Sequence, residues 1–175
     1  MMNRLMCALL ALACLVPSLA AAWWNPDWTS RRKVTLDTSA KGAGLVEPLS
    51  QVPVLIRLHT GNFPFAEADV DGKDLRFVAE DDRTPLKFHV EKFDAANELA
   101  LIWVQVPKLV PGNAEQHVWL YFGNDKAPAG GDARGTYDAG HTLVLHFGEA
   151  DGRFQDSTAY AHGVSAAGAK PVVAH

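Results

Sequence analysis

Between residues 31 and 122, apolar and polar positions alternate in short runs, and no stretch keeps a helical period. Glu98–Val106 is almost continuously apolar, with Leu99, Leu101 and Trp103 on one face and Ala100, Ile102, Val104 and Val106 on the other. The run is short for a helix and rich in β-branched and aromatic types, which predicts a strand covered on both sides. Gln116–Phe122 repeats the pattern, with Val118, Leu120 and Phe122 opposed to His117, Trp119 and Tyr121. Pro107, Pro111, Gly112 and Asn113 mark the turn between them. The two runs read as neighbours in the middle of one sheet, with Trp103 and Trp119 in the core.

Four weaker strands are predicted upstream: Arg32–Asp37, Val52–Leu58, Asp74–Ala79 and Leu86–Val90. Pro53 cannot donate to a ladder, so the start of the second belongs at a sheet edge. Residues 59–73 read as an irregular connection with one helical turn around Phe65–Ala68. Six strands with frequent turn signals predict an all-β fold, an antiparallel Greek-key β-sandwich of jelly-roll type. After Asn124 the pattern changes. Residues 125–136 carry no large apolar side chain and read as a linker. Thr142–Phe147 predicts one more strand, followed by a small, polar, glycine-rich tail. The expected organisation is a sandwich over residues 23–124, the linker, and the first strand or strands of a second, incomplete β-sandwich over 137–175.

The N-terminus adds a compartment. Arg4, the apolar run Leu5–Val16 and the small residues Ala20–Ala22 form a secretory signal peptide over residues 1–22, with cleavage between Ala22 and Trp23. The apolar run is shorter than the roughly 20 residues a membrane-spanning helix needs. A lipoprotein reading would use Cys14, but the branched apolar residue expected three positions earlier is missing. Both cysteines, Cys7 and Cys14, lie in the signal, so the mature chain carries no disulfide and its core must stabilise it alone. The expected location is the periplasm or the cell surface of a bacterium. The whole chain has 16 Lys and Arg against 20 Asp and Glu; losing Arg4 leaves 15 against 20, a net charge of −5. With basic residues scattered, nucleic acid is not an expected partner. Arg31–Lys33 is the one basic cluster and reads as a guard on a sheet edge.

Candidate chemistry is sparse. Asp69, Asp71, Asp74, Asp81 and Glu149 are the carboxylates available for a glycosidase pair, but all fall in turns or at strand ends, where acidic residues serve the backbone. Asp69, Asp71 and Asp74 alternate as in a calcium loop, without the later bidentate Glu or flanking helices of an EF-hand. A structural calcium ion there is the one cofactor weighed; none other is expected. His89 and His117 read as outward-facing, and His141 and His146 as lying on opposite strand faces, so the histidines read as ordinary surface residues. Trp23, Trp24 and Trp28 form either a platform for sugar rings or a plug over an open end of the sandwich.

Several landmarks carry a family resemblance. Trp24–Trp28, Arg31–Asp37, Pro53–Ile56, Gly72–Asp81, Trp103–Pro107 and Val118–Asn124 occur in the order seen in the bacterial domain-of-unknown-function family 2341. Val144, His146, Phe147, Glu149, Gly152 and Asp156–Thr158 resemble the start of a laminin-G or concanavalin-like lectin domain. The first resemblance also implies, in some relatives, fusion to a MotA/TolQ/ExbB-type proton-channel module. The expected function is a non-catalytic exported binding module for glycan or an envelope protein. The alternatives are the periplasmic front of an energy-transducing channel protein, with the channel as partner in a longer form, and a glycoside hydrolase.

Overall fold

The structure, a computed structural model, describes residues 23–149 and 153–163; the expected signal peptide, both cysteines and Ala22 of the expected cleavage site lie outside the described residues. The strands are β1 (Ser30–Thr35), β2 (Leu49–His59), β3 (Arg76–Val78), β4 (Pro85–Leu86), β5 (Phe88–Asp94), β6 (Leu99–Leu109) and β7 (His117–Phe122). A 3-10 turn at Phe65–Glu67 and a short helix α1 (Ala133–Thr136) complete the elements. The strands form two antiparallel sheets, ordered β1-β7-β3-β4 and β2-β6-β5. The fold is an all-β sandwich. Its core lies between the sheets, where Ile56, Leu58, Phe77, Phe88, Ile102, Val104, Leu120 and Phe122 pack together. Each such side chain contributes about 1.5–3 kcal/mol by leaving water.

Three expectations from the alternation are corrected. First, β6 and β7 are not neighbours in one sheet: β6 is central in the three-stranded sheet and β7 lies inside the four-stranded one. Their connection crosses the core, because both strands have an apolar inner face to cover. Second, the run Leu86–Val90 is two strands. Pro85–Leu86 pairs with β3 and Phe88–Asp94 pairs with β6, so the chain changes sheet at Lys87. Third, Trp103 and Trp119 are half-buried on the outer faces, and the inner positions of their strands go to Ile102, Val104, Val118 and Leu120.

β2 is an edge strand, as Pro53 requires. Near its far end the Asn62 side chain takes the place of a neighbouring strand, accepting from His59 N–H (2.8 Å) and donating to Arg57 C=O (3.0 Å). β1 is the edge of the other sheet, and exposed Arg32 and Lys33 lie on it. A groove of about 610 Å³ runs between these two edges. A proline, a capping side chain and charges are the usual devices that keep such an edge from pairing.

Residues 142–147, expected to be a strand, form none. Val144 N–H donates to Asp156 Oδ1 (3.1 Å) and Val144 C=O accepts from Ser157 N–H (2.9 Å), while Phe147 adopts φ 57°. A loop serves these backbone groups, and Leu143 and Phe147 stay exposed. The segment expected as a linker lies along the sandwich: Ala127 and Thr136 are buried, and Asp132 N–H donates to Phe88 C=O on β5 (2.7 Å).

Candidate functional site

The N-terminal tryptophans lie on the outer face of the four-stranded sheet, around Tyr121. Trp28 is buried and its Nε1–H donates to Asp74 C=O (2.6 Å). Trp24 stacks between Trp28 and Tyr121, at ring distances of 5.1 and 5.8 Å. Trp23 remains 39% exposed, against the edge of Tyr121. Arg31 lies over Trp119 (4.3 Å), contacts Trp23 and Tyr121, and is paired with Asp82. Trp24 and Trp28 thus pack into the protein, and Trp23 is the one of the three that keeps a face in solvent.

Among the aspartates, Asp74 is buried and its carboxylate is fully engaged. Oδ1 accepts from Asp69 N–H (3.1 Å), and Oδ2 accepts from Gly123 N–H (2.6 Å) and Asn124 N–H (3.3 Å). Asp69 pairs with Lys73 (2.9 Å), and its carboxyl is held below the usual range by that contact and by Asp71 N–H. Asp71 is exposed. Asp81 accepts from Arg83 N–H, Thr84 N–H and the Thr84 hydroxyl, which closes the turn. Among the described residues no group of three or more His, Cys, Asp or Glu is arranged to hold a metal ion. Asp69, Asp74 and Asp81 are occupied in holding loops.

The histidine expectation is corrected on the outer face of the other sheet. His89 faces Trp103 across β5 and β6, and Glu91 is the extra residue of a β-bulge between Val90 and Lys92. Bulges re-aim side chains beside functional sites. The bulge brings Glu91 Oε2 to Trp103 Nε1–H (2.7 Å) and to His146 Nδ1 (3.0 Å). Helix α1, capped by Asp132 Oδ1 on Gly135 N–H (2.9 Å), delivers buried Tyr137 over the same spot. The Tyr137 hydroxyl is 3.1 Å from His89 Nδ1 and 3.1 Å from His146 Nε2. Burial, and then the neighbouring His146, hold the His89 imidazole below the ordinary histidine range, against a weaker pull from Glu91. Burial, and then Glu91, raise the Tyr137 phenol well above the ordinary tyrosine range.

This network forms one wall of a cleft of about 380 Å³. Arg134, Glu149, Gln155, Asp156 and Ser157 line the rest. Asp156 is buried; burial alone would raise its carboxyl, but N–H groups of Thr158, His162 and Val144 hold it far below the usual range. Glu149 Oε1 accepts from Gln155 N–H (2.9 Å), whereas Oε2 is buried without a hydrogen-bond partner among the described residues. Buried polar atoms are almost always satisfied, so an orphan acceptor calls for an explanation.

A family model described as Domain of unknown function (DUF2341) matches residues 71–160. The chain belongs to this family. No curated protein and no solved structure matches it. The match takes in Asp74, Gly123 and Asn124 and every residue of the cleft, and it runs unbroken through residues 125–136. The tryptophan-rich start precedes it. Within the DUF2341 domain, Glu149 is the one sequence candidate that reaches the cleft. His89, Glu91, Arg134, Tyr137 and His146 were missed. The available signal was two polar side chains, His89 and Glu91, on the outer face of a strand next to one carrying Trp103. Nothing local announced that Tyr137 and His146 would close over them.

Proposed function

We propose that this DUF2341 protein is an exported, non-catalytic module that binds glycan in the cleft between β5, α1 and residues 146–149 and 155–157. The signal-peptide pattern of residues 1–22 supports the export part of this reading. The observation that carries the binding part is Glu149 Oε2, a buried acceptor without a partner among the described residues, in a concave polar site. Around it, the side chains of Arg134, Gln155 and Ser157 line the cleft, and no hydrogen bond of theirs is formed among the described residues. Sugars offer closely spaced hydroxyls that both donate and accept, and a cleft mixing free donors and acceptors answers them. The cleft volume falls within the roughly 300–1,000 Å³ typical of small-ligand sites. Asp69, Asp74 and Asp81 serve their loops, which favours binding over hydrolysis.

A glycan array probed with the whole chain tests the reading. At least one glycan class should be retained, and Glu149→Ala should weaken it by about tenfold or more, or about 1.4 kcal/mol. Retention that survives Glu149→Ala but is lost in Trp23→Ala would move the site to the tryptophan surface. Absence of any glycan binding overturns the proposal.

A further inference from the structure

The cleft's hydrogen bonds have a direction, and the direction restricts what it can hold. Glu91 Oε2 only accepts, so His146 Nδ1, 3.0 Å away, carries its proton. With one proton on the His146 ring, held at Nδ1, its Nε2 lone pair accepts the Tyr137 O–H at 3.1 Å. The phenol oxygen in turn accepts from His89 Nδ1–H at 3.1 Å. The chain ends at His89 Nε2, a lone pair with no partner among the described residues, on a residue that lines the cleft. Glu149 Oε2 is the second uncommitted acceptor there. Three carboxylates, Glu91, Glu149 and Asp156, line the cleft against one guanidinium, Arg134, which leaves carboxylates in excess by two.

We infer that the ligand enters this cleft with a protonated amine: the glycan recognised carries a free amino group, as a de-N-acetylated amino sugar does. This rests on the glycan reading above. An ammonium offers three N–H donors and no acceptor, which suits a cleft whose uncommitted groups, Glu149 Oε2 and His89 Nε2, are acceptors. A hydroxyl brings a single donor and no charge. The contact to Glu149 is charge-assisted, about twice as strong as a neutral one, and it neutralises a carboxylate whose burial is otherwise costly. Arg134, exposed at the rim, is left for ring hydroxyls or an acyl oxygen.

Calorimetry on the whole chain at neutral pH, with three probes, decides the matter: a glucosamine tetramer, the N-acetylglucosamine tetramer and a lysine tetrapeptide. The glucosamine tetramer should bind at least about tenfold more tightly than its acetylated counterpart, a difference of about 1.4 kcal/mol. Glu149→Gln keeps the shape of the site and its capacity to bond a hydroxyl, so it should erase that preference while the circular dichroism spectrum stays unchanged. Because Tyr137 is buried, Tyr137→Phe tests the relay separately. It should lower glucosamine affinity, whereas the control Trp23→Ala, outside the cleft, should leave it unchanged. Equal or tighter binding of the acetylated sugar overturns the amine inference and leaves the glycan reading standing. Preference for the lysine peptide overturns the glycan reading and leaves amine recognition standing. Binding of none of the three overturns the amine inference, and the array then decides the glycan reading alone.

Discussion

A carboxylate with only 1% of its residue's surface exposed needs donors, and at Asp74 three backbone N–H groups supply them. Two come from Gly123 and Asn124, at the end of β7. Gly123 sits at φ +85°, and a Cβ there would stand 2.3 Å from Thr29 Oγ1, so the turn that aims these N–H groups at Asp74 requires glycine. Asp74→Asn puts an NH2 group against at least one of those donors. It should cost about 2–3 kcal/mol, the penalty of a buried unsatisfied group. For a domain of this size that is a fall in Tm of roughly 5–10 °C. Asp69→Asn, in a loop pair with Lys73, should change stability by less than about 0.5 kcal/mol. Equal effects in thermal melts would show that the buried network is not what holds the loop. In the sequence Asp74 was visible only as one member of an alternating acidic run. Two of its three partners lie 49 and 50 residues away, beyond the reach of any local pattern.

At the scale of elements, alternation located the strands well and assigned their neighbours poorly. Every strand of the sandwich coincides with a periodic run except at Lys87, where one run serves two sheets. A period of two says that a strand has two faces; it does not say which strand lies beside it, nor which apolar face is the inner one. Trp103 and Trp119 were assigned to the core on hydrophobicity. Both carry an N–H and a large ring, and such side chains suit a half-buried outer face where a polar group is within reach. Trp103 found Glu91 there, and Trp119 found Arg31. The N-terminal tryptophans divide in the same way. Trp28→Ala should lose about 3–5 kcal/mol, as buried aromatics do. Trp23→Ala, at a half-exposed ring, should lose less than about 1 kcal/mol. Urea denaturation of the two variants checks the split, and a large loss for Trp23 alone would reverse it.

For the molecule as a whole, the cleft network couples folding to pH on both sides of neutrality. His89 in the folded protein holds its proton less tightly than in the unfolded chain, where a histidine titrates near about 6.5. Below that value the unfolded chain binds more protons, so stability present at neutral pH is lost as the pH falls. Glu91, His146, Tyr137, Glu149 and Arg134 are the charged or titratable groups around it, and only Glu91 among the named causes opposes the shift. Tyr137 shifts the other way: its folded phenol keeps the proton, so above the unfolded tyrosine value of about 10 stability is lost as the pH rises. Melting temperatures from pH 5 to 11 should therefore fall at both ends. His89→Gln should flatten the acid limb and Tyr137→Phe should reduce the alkaline one. An acid limb identical in His89→Gln would mean that His89 is not the group responsible.

The sequence by itself determined the all-β class, the places of most strands of the sandwich and the family landmarks from Gly72 onward, because these depend on side-chain alternation, on proline and glycine, and on neighbours a few residues apart. Only the tertiary structure decided that β6 and β7 oppose each other across the core, that Asp74 ties its loop to the end of β7, and that His89, Glu91, Tyr137 and His146 meet. Those contacts join residues that share no period and are separated by many intervening residues. What brings them together is the need of each apolar face to be covered and of each buried polar group to find a partner.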